Sequence, residues 1–356
     1  MKSKRIIAHI IDSLGRGGAE TLLVGVVKAL TEFEHIIFSL KPVNDFCEEL
    51  EGVKVIFYDF RGIQSLPTTS LSIRKLILKY NVDVVHAHLY WSSIVSRFAT
   101  PSNIKLFNSY HNILYSRIGA NYPLHSRLLD KLTYTSRVNI FCVSSEVKRD
   151  VMRYIGATQN VTVLYNYIED VFFDRYREYN DNFKKLKFVA VGNLKSQKNY
   201  EVIIRAFALF NEKFGSETII LDVFGKGELL HHLIKLSEEL KVDNVRFVGA
   251  VSNVSDHLPN YNGYILSSTH EGFGIAVAEA MAVGLPLILS DIPVLQEVTS
   301  GNAYFFNPAD QNSLLKVLSS INSDKSKLKG MSVLGREISQ AFRKDLYMKT
   351  LSGYYS

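Results

Sequence analysis

Short apolar runs rich in Val, Ile and Phe recur along the chain, and each is followed by a stretch whose apolar residues return at helical spacing. That alternation marks βαβ units wound into parallel sheets. The pattern occurs twice. The first series predicts strands over residues 5–11, 34–40, 53–59, 82–88, 105–111, 139–145 and 161–166. After a polar, aromatic stretch the second predicts strands over 186–192, 218–225, 245–250, 263–268, 285–291 and 303–308. The expected architecture is α/β, with two Rossmann-like, doubly wound domains at residues 1–170 and 171–338, joined near 171–185, and a closing helical stretch at 339–356. Ligands of such sheets bind beyond the carboxyl ends of the strands, so the loops there are where chemistry is sought.

A chain of 356 residues with 47% hydrophobic content supplies two cores of ordinary size. The basic start and the apolar run after it end in a Gly-rich turn without a small-residue cleavage site, which reads as a first strand and not as a signal peptide. No window is apolar for the roughly 18 residues of a membrane span, and the two cysteines, Cys47 and Cys142, have no metal-ligand spacing. These features lead to the expectation of a cytoplasmic protein without disulfides. The net charge of +6 sits in the first half: residues 1–170 carry 20 Lys and Arg against 15 Asp and Glu, and the remainder 21 against 20. The scatter of these positive residues, with no aromatic RNA-binding signature, argues against nucleic acid and leaves a phosphorylated lipid or an anionic membrane surface as the partner of that charge.

Three strand-to-helix loops carry candidate chemistry. SLGRGGAE at 13–20, with Gly17 and Gly18, lets backbone amides approach an anion at a helix start, or is simply a flexible first turn. HEGFGIAVAEAMAVGLP at 270–286 follows a strand, turns on two glycines and enters an Ala-rich helix. The amides of Phe273, Gly274 and Ile275 can hold a diphosphate, with Glu271 just ahead of them. Glu279 stands among apolar neighbours, where a carboxylate is costly without a partner, and the two hydroxyls of a ribose suit it; the plain alternative is a solvated side chain. GNLKSQKN at 192–199 places lysines where a departing diphosphate would develop charge, although a loop lysine is usually only solvated. His86, His88 and His111 lie at strand ends without the order of a hydrolytic triad or a visible metal-ligand set. No Asp-x-Asp occurs to hold a divalent ion on a diphosphate, so neither a metal nor another cofactor is expected.

Taken in order, the Gly-Gly-x-Glu loop at 17–20, DVVHAH ending at His88, YNYIE at 165–169, GNLxxxKN, FGKGE at 224–228 and Glu-x7-Glu at Glu271 and Glu279 resemble glycosyltransferase family 4 over nearly the whole chain. The resemblance implies a GT-B fold, with two Rossmann-like domains facing each other across a cleft, and a retaining, metal-independent transfer of sugar from a nucleotide diphosphate, UDP preferred. It implies that Glu271, Phe273, Gly274 and Ile275 meet the donor sugar and diphosphate, Glu279 the ribose, Lys198 the phosphates, Gly17 and Gly18 the β-phosphate side, and His111 the transferred sugar. The final stretch, 339–355, is expected to cross back to the first domain. The family commonly has Arg beside the glycine where this chain has Asn193; the guanidinium is lost, and Lys195 stands two residues on as a substitute.

The acceptor side is carried by residues 112–138. These combine Arg117, Arg127, Lys131 and Arg137 with Tyr115, Tyr122, Leu124, Leu128, Leu129, Leu132 and Tyr134 against one acid, Asp130. The segment reads either as a surface docked on anionic membrane beside a lipid-linked acceptor or as a core-facing helix with a basic outer side. A growing bacterial surface polysaccharide on a lipid is the acceptor expected at the level of the family, with the enzyme peripheral on the inner membrane face. The competing functions are a sugar-nucleotide 2-epimerase of GT-B fold and a non-catalytic two-lobed sugar-binding protein.

Overall fold

The computed structural model describes residues 4–116, 123–180 and 183–356. The chain forms two compact units, Met1–Tyr167 with Asp345–Ser356, and Ile168–Lys344. The division falls a few residues ahead of the join expected after residue 170.

The first unit contains β1 (Ile6–Ile11), α1 (Gly18–Ala29), β2 (Glu34–Ser39), β3 (Lys54–Phe57), α2 (Leu66–Lys79), β4 (Val84–His88) and α3 (Tyr90–Ala99). It continues with β5 (Lys105–Tyr110), α4 (Leu124–Thr133), β6 (Val138–Cys142), α5 (Ser145–Ile155) and β7 (Val161–Val163). The seven strands are parallel in the order β3-β2-β1-β4-β5-β6-β7, so the winding reverses between β1 and β4. Helix α5 shows how local chemistry sets the boundaries: the Ser144 hydroxyl accepts from the Val147 amide at its start, and Gly156, at φ +84°, closes its end in the left-handed region.

The second unit contains α6 (Asp170–Asp174), β8 (Leu186–Val191), α7 (Tyr200–Phe214), β9 (Ile219–Phe224), α8 (Leu230–Glu239), β10 (Val245–Gly249), α9 (Val254–His257) and β11 (Gly263–Leu266). It ends with α10 (Ile275–Val283), β12 (Leu287–Ser290), α11 (Pro293–Thr299), β13 (Tyr304–Phe306), α12 (Gln311–Ser323) and α13 (Ser326–Ser339). Its parallel sheet has the order β10-β9-β8-β11-β12-β13, so the winding reverses between β8 and β11. The last helix, α14 (Lys344–Tyr355), lies with the first unit. Its Tyr347, Met348, Leu351 and Tyr355 share one stripe and pack with Ile7, Val26, Val84, Phe107 and Phe141, covering the sheet face that α1 also covers.

Candidate active site

In the second unit the two loops at the switch point, after β8 and after β11, are joined to each other. The Thr269 amide donates to the Gln197 carbonyl at 2.9 Å, the Gln197 side-chain amide to the His270 carbonyl at 2.8 Å, and the Ser267 hydroxyl to the Lys198 carbonyl at 2.6 Å. On this frame the Lys198 ammonium meets the Glu271 carboxylate at 2.7 Å, both side chains mostly buried. A third chain segment supports the same loop: the Leu194 amide donates to the Lys226 carbonyl at 3.0 Å. This explains FGKGE. A Cβ on Gly225 would lie 1.9 Å from the Gly192 carbonyl oxygen, and one on Gly227 would lie 2.4 Å from that of Leu194, so only glycine admits the approach.

Gly274, at φ +89°, starts α10 from the left-handed region, and a Cβ there would press on Leu295 at 3.0 Å. The first intrahelical bonds are those of Val277 and Ala278 to the Gly274 carbonyl, so the amides of Ile275 and its neighbours come before the helix ladder and aim outward from a positive helix end. Phe273 is buried and its ring packs edge-on against Phe342, which fixes the turn. Farther along α10, Glu279 is partly buried among wholly buried neighbours and has no hydrogen-bond or ion-pair partner among the described residues. Burial, and secondarily the Glu169 carboxylate, push its pKa up to about 7. Asn193 and Lys195 are both exposed on the β8 loop, and Lys195 forms no ion pair among the described residues.

In the first unit Gly17 is the extended N-cap of α1 and Gly18 its first residue. The side chain folded over them is acidic: a Cβ on Gly17 would lie 2.4 Å from Glu20 Oε2. Burial, and then the charge of Asp12, raise the Glu20 pKa. Asp12 in turn caps α3, accepting from the Ser92 amide at 2.7 Å and its hydroxyl at 2.6 Å. Any anion bound at these glycines therefore depends on backbone amides.

His111 follows β5. Burial lowers its pKa to about 4, so at neutral pH it is an uncharged imidazole that can donate one hydrogen bond. Its loop is tied down by Asp150, which accepts from the amides of Leu114, Tyr115 and Ser116 at 2.9, 3.1 and 2.8 Å. A second buried carboxylate, Asp130 on α4, pairs with Arg97 of α3 at 2.6 Å and accepts from the hydroxyls of Tyr110 and Tyr115. The sequence reading missed these supports. Asp150 had a visible signal, because it interrupts the stripe of Val147, Val151 and Ile155 on α5. Asp130 was visible only as an isolated acid, and its partner Arg97 lies 33 residues away.

With Asp130 turned inward, α4 presents Leu124, Leu128 and Leu132 to solvent at 75%, 52% and 73% exposure, beside Arg127 and the exposed Lys131. Three of its four leucines point outward, while Leu129 is half-buried beside the inward-facing Ser126 and Asp130. Arg117 and Tyr122 lie outside the described residues. His86 and His88 are wholly buried, and with His9 they place three imidazoles together, a ligand-like constellation that sequence spacing did not reveal because two strands contribute to it.

Comparison with known proteins gives family matches over both units. The model described as Glycosyltransferase Family 4 matches residues 16–171, and that described as Glycosyl transferases group 1 matches residues 173–337. The chain is similar to the O-antigen chain mannosyltransferase RfbU of Salmonella typhimurium, with 28% identity over 202 residues, 56% of this chain and 55% of that protein. The chain thus aligns with about half the length of this relative. It is also similar to the capsular polysaccharide biosynthesis glycosyltransferase CapH of Staphylococcus aureus, with 24% identity over 321 residues and 84% of each chain. Among solved structures, Anabaena HepE in complex with UDP superposes with a TM-score of 0.82 at 15% identity over 98% of each chain. Sucrose-phosphate synthase from Thermosynechococcus elongatus gives 0.81 at 17% identity over 99% of this chain and 98% of that one. The fold is the GT-B arrangement of two Rossmann-like α/β domains, and the chain is a glycosyltransferase. It belongs to glycosyltransferase family 4.

Proposed function

We propose that this enzyme takes a sugar from a nucleotide diphosphate, UDP preferred, and transfers it with retention to a hydroxyl of a lipid-linked or growing bacterial surface polysaccharide. The observation that carries the donor assignment is Glu279, a partly buried carboxylate without a partner, on the helix whose start adjoins the Lys198–Glu271 pair. Two ribose hydroxyls satisfy it. The diphosphate then lies toward Lys198 and the amides of Phe273, Gly274 and Ile275, with Asn193 and Lys195 around it, and the sugar meets Glu271. As the C1–O bond to the phosphate breaks, Lys198 and the α10 amides stabilise the growing negative charge. The acceptor oxygen bonds to C1 on the face the phosphate leaves, and its proton passes to that phosphate. This scheme assigns no divalent metal to the donor.

The acceptor assignment rests on the names of the relatives and on α4, whose leucine stripe and basic flank suit the surface of an anionic membrane. Among the described residues no helix is long and apolar enough to cross a membrane, so contact with a lipid-linked acceptor would be peripheral.

A thermal-shift panel of nucleotide diphosphates and sugar nucleotides, with and without EDTA, tests the donor reading. The expected result is stabilisation by one nucleotide class that persists in EDTA and is lost in Glu279→Ala. Stabilisation that vanishes with EDTA would refute the metal-free donor site, and indifference to every nucleotide would refute the transfer reading. Retention is read from the anomeric configuration of the product by NMR.

A further inference from the structure

The core of the first unit holds three imidazoles that the transfer chemistry does not use. Parallel pairing sets His9 of β1 beside His86 of β4, and His88 stands two residues on, so all three leave the same sheet face. They are 0%, 0% and 1% exposed, and each offers a ring nitrogen within 4.8 Å of the others.

Hydrogen bonding fixes how one of them is protonated. The Leu30 carbonyl, which can only accept, lies 2.9 Å from His35 Nε2, so that nitrogen carries the proton. In that tautomer its Nδ1 is an acceptor. His9 Nε2, 3.0 Å away, must therefore donate to it. With its proton on Nε2, His9 leaves Nδ1 as the lone pair of that tautomer, and this nitrogen has no hydrogen-bond partner among the described residues. Neither ring nitrogen of His88 has one. His86 is held from both sides, by the Ser109 hydroxyl at 2.7 Å and the Tyr355 hydroxyl at 2.6 Å.

Buried nitrogens without partners are uncommon, because the lost hydration is not replaced. Imidazoles whose ring nitrogens gather this closely, one of them with a ring N–H already held by an outer acceptor, are the donor set of a metal site. We propose that His9, His86 and His88 form a buried site for one late first-row divalent ion, with Zn2+ as the probe. No carboxylate belongs to the cluster, so its chemistry disfavours Mg2+ and Ca2+, which take oxygen ligands. Bonds of about 2.0–2.1 Å to Zn2+ require the nitrogens to draw together from the spacing seen here. Ligation by His86 replaces one of its two hydroxyl contacts and keeps the other. The site belongs to the first unit alone and is independent of the donor assignment.

The test uses the full-length, tag-free chain expressed with added zinc, desalted, and measured for bound metal by mass spectrometry. Wild type is expected to retain about one zinc per chain, and the double variant His9→Gln with His88→Gln less than a tenth of that, while His231→Gln with His232→Gln, an exposed pair on α8, keeps it. Far-UV circular dichroism establishes that each variant is folded. Should the double variant not fold, zinc-dependent elevation of the wild-type melting temperature, reversed by a strong chelator, provides the second readout. A folded wild type that retains no zinc and does not respond to it overturns the site and leaves water as the bridge between these rings. Equal retention by the double variant, or loss only in the His231 and His232 variant, overturns it as well.

Discussion

The two units share a parallel α/β plan but use their buried polar groups differently. In the second unit they gather at the switch point: two loops are tied together, Lys198 faces Glu271, and Glu279 waits without a partner. In the first unit they lie inside, as the Arg97–Asp130 pair, Asp150 under the His111 loop, and the imidazoles of His9, His86 and His88. The difference teaches where each unit's conformation is specified. The second gathers its charges at loop ends, where the proposed donor would meet them, whereas the first spends its charges on holding a loop and a helix in place.

Substitutions should separate these roles. The largest expected effect on folding is Asp130→Ala, which leaves the Arg97 guanidinium buried and unpaired; a loss of about 3–5 kcal/mol is expected, measured by urea unfolding, whereas Lys198→Ala, at a pair that keeps more exposure, should cost less. For activity the order reverses. Lys198→Ala should lower kcat by about 10²–10³-fold, the loss typical of a removed transition-state charge contact, once a donor is identified.

Much of this plan was legible in the residues. Parallel strands buried on both faces read as apolar runs, and every strand described here lies within or beside an expected run. The loops after β8 and β11 were legible because glycines, lysines and carboxylates stand at strand-to-helix junctions. What was not legible was pairing at a distance. Lys198 and Glu271 are 73 residues apart, and nothing in either loop announces the other. Asp130 looked like the one acid on a basic surface, and only the position of Arg97 shows that it faces inward, sending Leu124, Leu128 and Leu132 outward. The imidazole cluster was hidden for the same reason, since alternation along β4 aligns His86 with His88 but only sheet pairing adds His9.

Smaller effects sharpen the comparison. Glu279 in the empty enzyme is protonated below about pH 7 and ionised above it. On the proposed donor assignment ribose hydroxyls bind the ionised form, so donor affinity measured by calorimetry should fall by up to about tenfold per pH unit below 7 and level off above it. Glu279→Gln should remove that dependence. Because the folded-state pKa is raised, ionising Glu279 costs stability as pH rises through about 7. The same variant, without ligand, should therefore melt a few degrees higher than wild type at pH 8 and no higher at pH 4.

Least costly to the fold is the exchange of Leu124, Leu128 and Leu132 for Ser, which leaves Asp130 and Arg97 in place. Sedimentation with anionic liposomes should fall several-fold while the melting temperature stays within about 2 °C; surface substitutions typically change stability by no more than about 0.5 kcal/mol. Unchanged liposome binding would remove α4 from the account of the acceptor side.

The central claim is that the second unit alone holds the nucleotide, and calorimetric titration of UDP into wild type, Glu279→Ala and His111→Ala tests it most directly. The account predicts at least a tenfold weaker affinity for Glu279→Ala and an unchanged one for His111→Ala; equal affinity in wild type and Glu279→Ala, with binding lost in His111→Ala, would contradict it.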